Sequence, residues 1–249
     1  MNSLRIVSVV PSQTELLFDL GLDAEIVGLT KFCIHPADKV KNKAIVGGTK
    51  TLDLAKIHAL RPTLILANKE ENTRDQIEEL QRQYDVHVTD VNTLPDALSM
   101  IRNVGVLVGK NWEAEVMAQQ LEASLCPLPS AHPLSVAYFI WRKPYMVAGN
   151  DTFIHSMLEI AGFRNAFAKQ TRYPEVTPAD VQAVQPDLIF LSSEPYPFSE
   201  KHVAELRAIC PSSQILLVDG ELFSWYGSRL LHASHYFRNL RNEIARHQL

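Results

Sequence analysis

The sequence is poor in the features that place a protein quickly. It has three cysteines, Cys33, Cys126 and Cys210, far apart and without a Cys-x-x-Cys pair. That excludes a disulfide-built scaffold; an odd count leaves room for one disulfide and fits reduced thiols at least as well. No apolar run approaches the roughly 18–20 residues that span a bilayer. Lys and Arg number 24 against 28 Asp and Glu, a formal net charge of −4, and no basic cluster of recognition size occurs. Electrostatics therefore offers no reason to expect a nucleic-acid partner. The GxGxxG, GxSxG, HExxH and EF-hand patterns are missing. The stretch Gly105–Asn111 only imitates a phosphate loop, being one residue short, with Asn111 where a magnesium-holding Ser or Thr belongs. Ahead of Arg5-Ile6-Val7-Ser8-Val9-Val10, which reads as a core strand, there is no basic n-region, apolar h-region or cleavage site. As given, the sequence is expected in the cytoplasm; with an export signal removed, it belongs in the periplasm or at the cell surface.

What is present is an ordinary globular composition: 249 residues, 46% hydrophobic and 21% charged. That length allows one large α/β domain or two lobes of about 100–120 residues each. Strand candidates are Ile6–Val10, Ile26–Leu29, Leu64–Ala67, Val86–Val91, Ser135–Ile140, Asp187–Leu191 and Ile215–Val218, with helix-period segments between them. Such alternation is the mark of βαβ units and parallel sheets. Ser12-Gln13-Thr14-Glu15 reads as a capping box, and Thr177-Pro178-Ala179-Asp180 as a helix start with proline in the first turn.

The most informative feature is an internal repeat. Ala55–Leu66 lies on Ala179–Phe190 at a constant offset of 124, and both copies read as capped helix, proline turn and buried strand. Proline ends each helix because it lacks a donor and disfavours helical geometry at the residue before it. A glutamate follows at the matched position in each copy, Glu70 and Glu194. Two homologous lobes are expected, over residues 1–92 and 134–249, with linking helices over 93–133. The second of these, Asn111–Leu125, is about 22 Å long. At the C-terminus, Leu230, Ala233, Phe237, Leu240 and Ile244 recur at helical steps and predict a docking helix, on which His232 and His235 are solvated.

Ligands of α/β proteins bind beyond the C-terminal ends of the strands. Aromatic and polar residues gather in those segments: Phe32 and His35 after the second strand, Trp141 and Arg142 after the first strand of the second lobe, Tyr173 before the Thr177 helix, and Trp225, Tyr226 and Arg229 after the last strand. Together they suggest a cleft that grips a large, flat, partly apolar ligand. Cys33 beside His35 can also be read as a nucleophile and base, but nothing identifies an oxyanion hole or orienting carboxylate. A buried structural thiol is the better reading.

Taken in order, several segments resemble a known family. These are Arg5–Ser8 through Ser12–Leu17, Ile26–Thr30, Val46-Gly47-Gly48, the Ala55–Leu66 repeat, Gly162-Phe163-Arg164-Asn165 and Ser192–Phe198. They are similar to the cobalamin-binding branch of the helical-backbone (class III) substrate-binding proteins, receptors of ABC importers for cobalamin, siderophores and haem. The resemblance implies α/β architecture: two Rossmann-like lobes with parallel-rich central sheets, joined by a bridging α-helix, with the ligand in the cleft between them. It implies cleft aromatics at Phe32, Tyr173 and Trp225-Tyr226, and transporter docking through one acidic residue per lobe, Glu70 or Glu71 and Glu194 or Glu200. Where relatives can place a tryptophan, this chain has Thr49-Lys50-Thr51. The expected function is non-catalytic binding of a metal chelate, cobalamin-like first, with His35 offering a nitrogen and Arg142 or Arg229 meeting ligand carboxylates or phosphate. A ferric-siderophore or haem receptor, or a cytoplasmic corrinoid-handling protein or enzyme on the same fold, are the alternatives. No cofactor or resident metal is required, a permease and ATPase are the expected partners, and a monomer is expected.

Overall fold

A run of buried aliphatic residues opens the chain and becomes the central strand of a parallel sheet. In this computed structural model, which describes residues 3–246, the elements follow in order as β1 (Ile6–Ser8), α1 (Pro11–Asp19), β2 (Ile26–Leu29), α2 (Ala37–Val40), β3 (Ala44–Ile45), β4 (Gly47–Gly48), β5 (Thr51–Leu52), α3 (Leu54–Leu60), β6 (Leu64–Asn68), α4 (Arg74–Gln81), β7 (Val86–Thr89), α5 (Leu94–Leu107) and α6 (Asn111–Ser124). There follow β8 (Ser135–Trp141), β9 (Met146–Val147), α7 (Phe153–Ile160), β10 (Arg164–Asn165), α8 (Pro178–Val184), β11 (Leu188–Ser192), α9 (Glu200–Ile209), β12 (Gln214–Val218), α10 (Glu221–Ser224) and α11 (Leu230–Arg246). Residues 1–2 and 247–249, the outer ends of the two expected lobes, lie outside the described residues.

The chain divides into two compact units. The first holds the residues up to Val91 together with Pro95–Leu121 and Trp225–Arg229; the second holds Asn92–Leu94, Glu122–Ser224 and the chain from Leu230 onward. In the first, a parallel sheet runs in the order β3-β2-β1-β6-β7, with Ile6 beside Leu64 and Ser8 beside Leu66. A core of Val7, Val9, Val46, Ile57, Ile65, Ala67 and Leu80 forms on one face. In the second, the order is β10-β8-β11-β12, with β9 antiparallel to β8. Its core gathers Ala137, Phe139, Val147, Phe167, Ile189, Leu191 and Leu206. Because the strands within each main ladder run parallel, their C-terminal ends share one edge of each sheet. That edge is where the chain is free to place variable loops.

The repeat survives in three dimensions with its offset intact. Asp53 caps α3 by accepting from Lys56 N–H, and Thr177 caps α8 by accepting from Asp180 N–H. Asp180 also reaches back to Thr177 N–H at 2.8 Å, completing a capping box with Pro178 in the first turn. Both helices end in a left-handed residue that is not glycine, Arg61 (φ 46°) and Gln185 (φ 43°), immediately before the proline. Positive φ at a residue with a Cβ is unfavourable, so two copies of the same strain at matched positions mark one inherited turn. The strands then begin at Leu64 and Leu188 and end at Asn68 and Ser192.

One expected cap fails. α1 starts at Pro11, with Val10 as its N-cap and no side-chain cap, so Ser12 already lies inside the first turn. Proline at the first helical position has its φ preset and no N–H to satisfy, and it claims the start from Ser12. Glu15, released from that role, is used elsewhere. The β4–β5 hairpin and the short strands β3, β9 and β10 were not legible, because two-residue strands carry no period.

Candidate functional site

In the first unit, the Thr30–Pro36 segment leaves the C-terminal end of β2. Its backbone is anchored by Lys31 N–H donating to Gly47 O at 2.9 Å. Phe32 is 50% exposed. Its ring is backed by Gly48, where an added Cβ would stand 3.2 Å from the ring edge, and Lys31 Nζ lies 5.1 Å from the ring centroid. Cys33 points the other way. It is buried against the Thr14 and Thr30 hydroxyls at 3.1 and 3.3 Å, and burial pushes its thiol above the usual value. A thiol held protonated in this way is a poor nucleophile. The structure thus supports the packing role for Cys33, and all three cysteines are free thiols.

Four side chains of this unit form one connected group. His35 meets Trp225 edge-on, with centroids 5.5 Å apart and planes at 70°. The Arg229 guanidinium lies 5.4 Å from the Trp225 ring centroid and grips Glu15 through Nε and Nη2 at 2.9 and 2.6 Å. Burial raises the Glu15 carboxyl above its ordinary value, and the bonds and charge of Arg229 pull it down. Trp225 and Tyr226 are buried, at 6% and 5% exposure, so neither offers the open stacking face expected of it. The segment is held close: an added Cβ on Gly227 would stand 3.0 Å from Ser12 O. Arg229 likewise arrives already paired rather than open to a ligand carboxylate. Glu15 is the group member that reading the sequence assigned elsewhere, because its partner stands 214 residues away.

The loop after β6 carries Glu70 and Glu71, both half-buried. A buried pair of asparagines builds it. Asn68 Oδ1 accepts from Glu70 and Glu71 N–H at 2.8 and 3.2 Å, and Asn72 Oδ1 accepts from Asn68 N–H at 2.8 Å. Asn72 Nδ2 donates to Val9 and Thr49 carbonyls at 3.1 Å each. Sequence reasoning missed these asparagines. Their signal is an i, i+4 amide pair that starts on the last residue of a buried strand.

In the second unit, Trp141 ends β8, 39% exposed, and donates from Nε1 to Lys143 O at 3.2 Å. Its ring meets Tyr196 edge-on at 5.7 Å. Behind them, Tyr196 also packs edge-on against Phe198 and His202. Ser199 N–H donates to His202 Nδ1 at 2.9 Å, which places the neutral ring's proton on Nε2, 3.1 Å from the Tyr196 hydroxyl. Burial lowers the His202 pKa and favours that neutral form. Arg142 is engaged by Glu205, through Nε and Nη2 at 3.1 and 2.6 Å, and Tyr145 donates to the same carboxylate. These bonds hold Glu205 below the usual carboxylate range. The Arg142 carboxylate partner therefore comes from this chain. Tyr173 is half-buried beside Arg172, whose N–H donates to Asp151 Oδ1 at 2.8 Å. Glu194 accepts from Ser224 Oγ at 2.5 Å, and Glu200 stands exposed at the start of α9.

Of the expected ligand residues, His35, Trp225 and Arg229 are thus brought into contact. Phe32 lies on the same segment as His35, and Tyr226 follows Trp225 in the same unit. Trp141, Arg142 and Tyr173 belong to the other unit. Among the described residues no three His, Cys, Asp or Glu side chains converge as metal ligands, and no helix is long and apolar enough to cross a membrane. The chemistry available here is stacking, apolar contact, hydrogen bonding and the imidazole of His35.

Comparison with known proteins agrees with this architecture. A family model described as periplasmic binding protein matches residues 6–208. A substrate-binding lipoprotein of an ABC transporter from Bacillus subtilis, YvrC, is 26% identical over 74% of this chain, which spans 62% of that relative's length. The vitamin B12-binding protein of Pectobacterium atrosepticum is 25% identical over 92% of this chain and 85% of its own. Among solved structures, the haem-binding protein BhuT in complex with two haems superposes with a TM-score of 0.82 at 22% identity, covering 96% of this chain and 98% of its own. The vitamin B12-binding protein BtuF of Vibrio cholerae gives 0.76 at 21% identity, covering 95% and 97%. With its family model matched over most of its length, the chain belongs to the periplasmic binding protein family.

Proposed function

We propose that this protein is the non-catalytic receptor of an ABC importer for a bulky metal chelate, a corrinoid first. Phe32 and Trp141 carry the reading: each is a large aromatic side chain 39–50% exposed in a segment at the strand C-terminal ends, where burial in the core would be the ordinary fate. His35, beside Trp225, supplies a nitrogen for a ligand's metal or a polar edge. That imidazole favours haem as the second reading, since a five-coordinate haem iron accepts an axial imidazole. The names of the relatives, which include vitamin B12-binding proteins, support the first. The buried, protonated Cys33 supports binding without turnover. The receptor acts in the periplasm or at the cell surface; the description of its family as periplasmic binding protein, and a Bacillus relative named as a lipoprotein, support this.

Docking to the permease falls to the matched acidic loops, Glu70 or Glu71 in one unit and Glu194 in the other, with Glu200 as the alternative. The asparagine pair under Glu70 and Glu71, and Ser224 against Glu194, hold these loops in shape. Rigid presentation lowers the entropy lost on docking.

Titration with aquacobalamin, cyanocobalamin, haem and ferric siderophores tests the ligand. A corrinoid response is expected, weakened about tenfold by Phe32→Ala or Trp141→Ala, the scale of losing one aromatic contact. A response to haem alone, lost in His35→Ala, selects the second reading. Silence across the panel refutes both.

A further inference from the structure

The outer edge of the second unit's sheet is open. β12 pairs with β11 on one side and, among the described residues, with no strand on the other. Gln214 N–H donates to Asp187 O, and Val218 O accepts from Ser193 N–H. With a period of two, Gln214, Leu216 and Val218 therefore turn their backbone groups toward β11, and Ile215 and Leu217 turn theirs outward. Edge strands are normally blunted by charge, proline or a bulge. Gln214-Ile215-Leu216-Leu217-Val218 has none of these in its ladder, and Leu217 is 40% exposed. A depression of about 700 Å³ is lined by Gln214–Leu217 together with Glu200 and Arg207 of α9 and Glu243 of α11.

α9 packs against β12 and presents a further stripe. Glu200, Ala204, Arg207 and Ala208 are all exposed, at helical steps of four, seven and eight that place them on one face. The stripe carries an acid, Glu200, at its start and a base, Arg207, near its end, with Ala204 between them and Ala208 beside the base, so its charges are complementary to themselves when turned end for end.

We propose that this edge pairs with the same edge of a second copy of the chain, β12 antiparallel to β12 about a two-fold axis through Leu216. Ile215 of each copy then stands opposite Leu217 of the other, and the two outward-facing pairs exchange four backbone hydrogen bonds. Strands pair at about 4.8 Å, so helices lying over the outer two strands of each copy come to about 10 Å, an ordinary helix-packing distance. The two α9 helices run antiparallel, Glu200 of each facing Arg207 of the other, while Ala204 and Ala208 leave room for the approach. Each charge contact occurs twice, as an isologous interface requires.

Sedimentation velocity on the full chain over a concentration series tests the pairing. A reversible dimer is expected. Leu217→Lys, at an exposed position, weakens it about tenfold or more by placing a charge on the edge. Glu200→Arg and Arg207→Glu each weaken it by setting like charges together, and the double variant returns to within about threefold of the parent. Hydrogen exchange at the Ile215 and Leu217 amides slows as concentration rises. A monomer at every concentration overturns the proposal, as does a dimer indifferent to Leu217→Lys. A double charge variant no tighter than the singles overturns it as well, and that arm stands even where Leu217→Lys impairs folding.

Discussion

Arg229 holds Glu15 in a two-bonded ion pair across 214 residues of chain, with the side chains only 16% and 13% exposed. Removing one partner strands the other's charge away from water, so Arg229→Ala should cost about 3 kcal/mol. The pair also sets a pH dependence. Because Glu15 titrates above its ordinary 4.5, the folded protein binds that proton more tightly than the unfolded chain. Its contribution to stability therefore falls as pH rises from 4.5 through the folded pKa. Arg229 opposes this rise, so its loss should steepen the fall and carry it to higher pH. Urea midpoints at pH 4.5 and 7 should separate further in Arg229→Ala than in the parent; equal separations would contradict the account.

The three thiols should react in two classes. Cys126 is exposed, whereas Cys33 and Cys210 are buried, with thiols raised by that burial. A disulfide exchange reagent at pH 8 should consume one thiol in the native protein and three after denaturation. Rapid reaction of a second thiol without unfolding would reopen the case for a nucleophilic Cys33.

Gly47 should tolerate no side chain. Its φ is +104°, and an added Cβ would lie 2.4 Å from Thr51 O and 2.9 Å from Asp53 N, both backbone atoms. Gly47→Ala should lose about 2 kcal/mol or more in denaturant unfolding. Since Gly47 O anchors Lys31 N–H, the same variant should bind the chelate ligand more weakly.

The matched caps should behave alike. Asp53→Ala and Thr177→Ala each remove the side-chain acceptor at a helix start and should each cost about 1 kcal/mol. Thermal unfolding of the two variants measures this. A null effect at either would mean that its helix is held by packing alone.

The repeat shows how far local signals reach. Its helices, proline turns and strands were legible because each is specified within twelve residues: a cap, a breaker and a buried apolar run. The same locality misled at Ser12-Gln13-Thr14-Glu15, where a formally good capping box lost to Pro11 one residue earlier. It also left the two-residue strands invisible. For the site, the aromatic residues announced themselves by type and by position after strands, but their exposure did not. Trp225 and Tyr226 looked equivalent to Phe32 and Trp141 in sequence, and the structure buries the first two.

By itself the sequence determined the α/β class, the duplication and the segments that carry aromatic residues beyond strand ends. Those depend on neighbours within a few turns of chain, where periodicity and proline stereochemistry decide. Only the tertiary structure decided that Glu15 serves Arg229, that Arg142 belongs to Glu205 and that Cys33 is sealed beneath two hydroxyls. Charge pairing and desolvation depend on distance through space, and residues 63 or 214 positions apart acquire a partner only once the sheets have assembled.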